Sequence, residues 1–165
     1  MSGANGRLHG KYRGVVSDNR DPLLLGRVRA RVQDVYGDKE SGWALPALPY
    51  AGKGVGLFLV PPTGAWVWIE FEHGDPDYPI WTGCFWAQGE PPASPAVQEM
   101  KVLKTDGVTV TLNDLPGAGG LTLETSAGMK IAITASGIEI SNGMGASVKL
   151  SGPQVSINGN ALEVT

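Results

Sequence analysis

Residues 121–165 are a run of short apolar alternations, cut by Gly128, Gly137, Gly145, Gly152 and Gly159 at intervals of seven to nine residues. Met129, Ile131 and Ile133 alternate with other residues, then Ile138 and Ile140, Val148 and Leu150, Val155 and Ile157, and Leu162 and Val164. Period two predicts strands with one apolar face, and the glycines supply the corners that join them. Each strand offers only two or three apolar side chains, so one chain cannot close a core this thin. Such a repeat must stack on other copies. The corners come too soon for the wide coil of a single-chain β-helix. Three chains wound about one axis solve the problem, because each supplies one short strand per face of a prism and the sheet edges pair between chains. Eight stacked strands would make a rod roughly 35 to 40 Å long. Val108, Val110, Leu112, Leu121 and Leu123 extend the pattern upstream and join the residues above as the expected trimer interior.

The 165 residues include twelve aromatics, all at or before Trp86, and 24 glycines. An aromatic-rich front domain therefore precedes an aromatic-free tail. Up to Glu99 there are nine basic and eleven acidic residues, and after it four and five, with no basic run suited to phosphate. The single cysteine, Cys84, excludes an intrachain disulfide framework. The polar start MSGANGRLHG has no apolar segment of the secretory kind, and the longest apolar stretch, residues 55–62, is too short to span a bilayer.

The expected organisation is a flexible arm at 1–10, a barrel at 11–86, a Pro-rich linker at 87–100 and the needle at 101–165. Strands are predicted over 11–17, 43–48, 56–60, 65–72 and 80–86, with turns at Asp18, Asn19, Asp21 and Pro22 and again at 73–79. No amphipathic helix is visible, so a small β-barrel is expected. Arg27, Arg29 and Arg31 alternate with Val28, Ala30 and Val32. If that strand neighbours 65–72, Glu70 and Glu72 neutralise the arginines across the sheet, which is favoured over a phosphate-binding face. Trp66 and Trp68 fall on the polar-facing side of their strand and are candidates, with the three arginines, for a hub or neighbouring-protomer interface, against ordinary edge packing. The loop Ala51-Gly52-Lys53-Gly54 lacks the Gly-Lys-Ser/Thr ending of a phosphate cradle.

Gly52 and Gly54, then Pro61 to Gly64, then Gly74-Asp75-Pro76-Asp77-Tyr78-Pro79 and Gly83 closely resemble the oligonucleotide/oligosaccharide-binding (OB) domain of contractile-tail spike proteins. That family includes phage baseplate spikes, such as baseplate assembly protein V, the VgrG proteins of type VI secretion and the spikes of extracellular contractile injection particles. The resemblance implies an all-β chain, an OB-fold barrel followed by an intertwined trimeric triple-stranded β-helix. It implies a homotrimeric baseplate spike that pierces a target envelope when the sheath contracts, assembled in the cytoplasm. No lysozyme fits the linker and no hub domain precedes the barrel, so a separate hub protein is implied. The terminal segment Asn160, Ala161, Leu162, Glu163, Val164 and Thr165 resembles a blunt platform for a separate PAAR-type tip protein, with cargo or effector as a further partner.

No catalytic set is expected. His9 and His73 are the only histidines, Asp75 and Asp77 are placed by their prolines as turn formers, and Cys84 is expected to be a small buried side chain. No cofactor, metal or nucleic acid is expected. The competing function is a barrel that binds single-stranded nucleic acid or a glycan, with an oligomerising tail.

Overall fold

In the computed structural model, which describes residues 6–159 and 161–164, the front half is built around β1 (Tyr12–Asp18) and β6 (Trp66–Phe71). Val67, Ile69 and Phe71 of β6 are buried while Trp66, Trp68 and Glu70 are half-buried, the pattern of a strand with one face on a core. β2 (Arg29–Arg31), β7 (Pro79–Phe85) and β3 (Leu45–Pro46) complete a curled sheet ordered β2-β1-β6-β7-β3, consistent with an OB-fold. Val16, Val28, Ala30, Val32, Ala44 and Trp81 close its interior with the β6 residues. Gly14 is closely packed here: a Cβ would lie 3.1 Å from Ile69 Cγ1 and 3.3 Å from Val32 Cγ2 and would press on both. The Trp81 indole N–H donates to the Gly26 carbonyl at 3.1 Å, so the one large polar-tipped core residue is satisfied. A single helical turn, α1 (Gln33–Tyr36), follows β2.

Several expected strands are shorter or absent. The segment expected over 43–48 is a strand only at Leu45–Pro46, parallel to β7 at Ile80 and Trp81, with Ala44 bridged to Val28 just before it; Pro46 and Pro49 supply no ladder N–H to extend it. Residues 57–60 are not a strand. The chain forms a two-rung hairpin, β4 (Ala51–Gly52) with β5 (Val55–Gly56), then runs irregularly with Leu57, Phe58 and Leu59 exposed. An apolar run without a neighbouring strand has no ladder to join. Within the expected arm, the Leu8 N–H donates to the Gly74 carbonyl at 2.9 Å, and its side chain packs against the core.

Contact density divides the chain into two compact units, one ending at Glu90 and one beginning at Pro91. The second contains β8 (Met100–Lys104), β9 (Val108–Asn113), β10 (Gly120–Thr125), β11 (Lys130–Thr134), β12 (Gly137–Ser141), β13 (Ser147–Ser151), β14 (Gln154–Ile157) and β15 (Leu162–Val164). They pair in sequence order as one antiparallel meander. No described residue from 91 onward is buried. The meander is thus a single layer with no core of its own.

Candidate functional site

The register of the meander gathers its apolar residues into two adjacent files on one face. The first runs Leu103, Val110, Leu123, Ile131, Ile140, Val148, Ile157, Leu162. The second runs Leu112, Leu121, Ile133, Ile138, Leu150 and Val155, where the backbone of Val164 pairs next. Val108, opposite Thr125, and Met129, next to Lys130, fall on the same parity at one margin. Fifteen of the sixteen positions expected to form a trimer interior therefore share one face; the side chain of the sixteenth, Val164, lies outside the described residues. Ile131 is 40 % exposed, Ile140 48 % and Leu112 51 %, so this face lacks a partner within the described chain. Soluble chains seldom leave so continuous an apolar surface uncovered.

Leu103 also belongs to this face, although sequence reasoning missed it. Val102 and Leu103 are adjacent, so alternation alone is ambiguous; only the pairing Leu103 with Val110 and Val102 with Thr111 decides between them. The reverse face is polar. Glu124 stands opposite Lys130, Glu139 opposite Lys149, Thr111 opposite Thr122 and Ser141 opposite Ser147. One apolar and one polar face are the pattern of an antiparallel sheet made to cover something on one side only.

In the barrel, the strand order overturns one expectation. β2 lies against β1, not β6, so Glu70 and Glu72 do not face the arginines. Arg27 pairs instead with buried Asp21 at 2.6 Å, Arg29 approaches Glu40 at 3.9 Å, and Arg31 is exposed, bridged through its backbone to Glu40. Trp43 lies under both Arg27 and Arg29, with guanidinium carbons 5.6 and 4.9 Å from its ring centre. Glu70 pairs with Lys11 at 2.8 Å. Asp21 also accepts the backbone N–H groups of Leu23, Leu25 and Arg27, and together with the guanidinium these hold its carboxyl well below the usual carboxylate range.

Trp66 and Trp68 are half-buried rather than exposed. Both stack on Phe85, at 5.6 and 4.6 Å between ring centres, and Arg13 lies 5.8 Å over Trp68. Cys84 is exposed, contrary to expectation. β3 flanks β7 only at Ile80 and Trp81, and a bulge sets Thr82 and Gly83 against Trp68, so Cys84 falls on an uncovered edge.

The turn motif folds as turn chemistry. Asp75 Oδ1 accepts the Asp77 N–H at 3.0 Å, and the Asp75 carbonyl accepts from Tyr78 at 3.0 Å. Pro61, Gly74 and Pro79 are buried; Pro76 gives its carbonyl to the Tyr36 hydroxyl at 2.5 Å. Gly52 and Gly54 shape the β4–β5 hairpin, and the Gly64 N–H donates to the Val16 carbonyl at 2.8 Å. Burial, then the charges of Asp77 and Asp75, push the Tyr36 phenol up to about 12. Among the described residues no group of three or more His, Cys, Asp and Glu is placed to hold a metal ion. No helix of the described residues is long and apolar enough to cross a membrane. At the C-terminal end, β15 pairs only with β14, and Ala161 and Leu162 are exposed; Asn160 and Thr165 lie outside the described residues.

These two units match known proteins in the same order. Residues 12–86 match the type VI secretion system/phage-baseplate injector OB domain, and residues 100–163 match the phage baseplate V C-terminal trimerisation domain. The type VI secretion system spike protein VgrG4b of Pseudomonas aeruginosa is 38 % identical over 99 residues, 58 % of this chain. Those residues are 12 % of that relative, so the chain spans only a small part of its length. The first unit thus belongs to the injector OB-domain family and the second to the phage baseplate V C-terminal trimerisation family, in an order that resembles VgrG-like spike proteins.

Proposed function

We propose that three copies of this chain form the central spike of a contractile injection baseplate. The observation that carries this reading is the one-layered meander, whose two apolar files have no cover among the described residues. Three such sheets turned inward cover one another, and their edges pair between chains, giving a stiff needle whose work is mechanical. The barrels sit on a separate hub protein at the end of the tube, through the surface that carries Arg27, Arg29, Arg31 and the half-buried Trp66 and Trp68. The needle pierces the target envelope on sheath contraction, and its β15 end seats a PAAR-type tip or an effector. The role is structural, without catalysis.

Light scattering on the purified chain tests this reading. A mass about three times 17.3 kDa that persists in dilute detergent is expected. A monomer would overturn it and favour the barrel as a binding module for nucleic acid or a glycan.

A further inference from the structure

The loop from Asp21 to Arg27 is built to hold leucines in water. Leu23, Leu24 and Leu25 are 62 %, 84 % and 54 % exposed. The buried Asp21 carboxylate accepts from Leu23 N–H at 3.0 Å, Leu25 N–H at 2.8 Å and the Arg27 guanidinium, which fixes the loop from within. Leu24 is held at φ 55°, a left-handed conformation that a branched side chain avoids. A buried charge pair and a strained backbone are spent on presenting apolar side chains outward, the reverse of what solubility favours.

A second apolar segment adjoins the first. Leu57, Phe58 and Leu59 are 45 %, 66 % and 48 % exposed. The Phe58 ring lies over Gly26, with Cε2 3.1 Å from where a Cβ would stand, and Asn19 Nδ2 donates to the Pro61 carbonyl at 3.1 Å, tying the two segments together. Six large exposed apolar side chains thus sit on two adjoining segments of a barrel whose own core is already closed.

We propose that this surface is a contact between the barrels of the trimer: the 23–25 and 57–59 loops of the three copies bury one another. The inference rests on the trimeric reading. It favours a second copy over a foreign partner because the trimerisation domain at 100–163 already tethers three barrels together. Only residues 86–99 lie between the last barrel strand and β8. Fourteen residues reach at most about 50 Å, so each barrel meets its neighbours at an effective concentration on the order of millimolar, at which even a modest apolar contact is occupied.

The test uses the full chain carrying Cys84→Ser and Arg20→Cys, spin-labelled at position 20, with mass and label-to-label distances measured on the same sample. Arg20 is exposed and stands beside the 23–25 loop rather than in it, so the label spares both the core and the contact. Trimers with a narrow distance distribution shorter than one barrel diameter, about 30 Å, are expected. Adding Leu24→Ser and Phe58→Ser should leave the mass unchanged and broaden that distribution to longer distances. Trimers with broad distances at or beyond one barrel diameter, or a distribution that the double substitution leaves unchanged, would overturn the contact and free the surface for a hub protein. A monomeric mass would overturn the trimeric reading together with the contact.

Discussion

Arg27 donates to a single oxygen of Asp21 from two nitrogens, Nε at 3.0 Å and Nη2 at 2.6 Å, while the other carboxylate oxygen takes the Leu25 and Arg27 backbone N–H groups. The carboxylate closes the 21–27 loop, and its depressed pKa gives that closure a pH signature. A group held below its unfolded value contributes stability that is complete above the ordinary carboxylate range and is lost as pH falls through the folded value. The barrel should therefore lose stability steadily below about pH 4. Asp21→Asn should flatten that acid slope in thermal melts between pH 2 and 6, and at pH 7 lower the barrel's Tm by roughly 5 °C or more. A slope unchanged by the substitution would place the acid sensitivity elsewhere.

The Tyr36 hydroxyl, bound to the Pro76 carbonyl and facing the charges of Asp75 and Asp77, gives the opposite signature. An acid whose folded pKa is raised favours the folded state until the unfolded chain ionises. Its contribution is complete below pH 10 and falls between 10 and about 12. Tyr36→Phe should cost about 1 kcal/mol at pH 7 through the lost hydrogen bond. It should also remove the alkaline decline, which denaturant titrations at pH 8 and 11 will detect.

Most of the architecture is legible in alternation, because Val67, Ile69 and Phe71, or Ile131 and Ile133, can face one way only if the backbone is extended. What alternation does not carry is which strand lies next to which. Arg27 and Arg29 alternate as expected, yet their partners are Asp21 and Glu40, since β2 meets β1 and leaves Glu70 to Lys11. Cys84 escaped for a similar reason: a two-against-one bulge and the early end of β3 put it on an edge. Residues 56–60 read as an apolar strand because a continuous apolar run carries no period to say otherwise. The structure leaves Leu57, Phe58 and Leu59 exposed beside the 23–25 loop, while Val60 packs against the core.

On the polar face of the meander, Glu139 faces Lys149 across β12 and β13. This face is solvated, so its charges tune the sheet without specifying it. Lys149→Glu sets like charges opposite each other and should cost about 0.5 kcal/mol per chain. The trimer should persist, with a melt that recovers in added salt as the repulsion is screened. Dissociation of the trimer by this substitution would contradict the assignment of the outer face.

Ile131 and Ile140 are direct cross-strand partners in the middle of the first apolar file, the reverse of that face. In one chain both are partly exposed, so Ile131→Asp or Ile140→Asp should leave an isolated barrel and its spectrum nearly unchanged. In a trimer the same carboxylate is carried into a dry interior by each of three chains. A buried, unpaired carboxylate costs several kcal/mol even after its pKa rises to neutralise it. Three of them at one level exceed what the surrounding leucines and valines return at about 1.5 to 3 kcal/mol each when fully buried. Either substitution should therefore give monomers by light scattering, and Leu103→Asp should act in the same direction from the first strand of the file. Trimers of normal mass from Ile131→Asp and Ile140→Asp would mean that the apolar files face something other than one another.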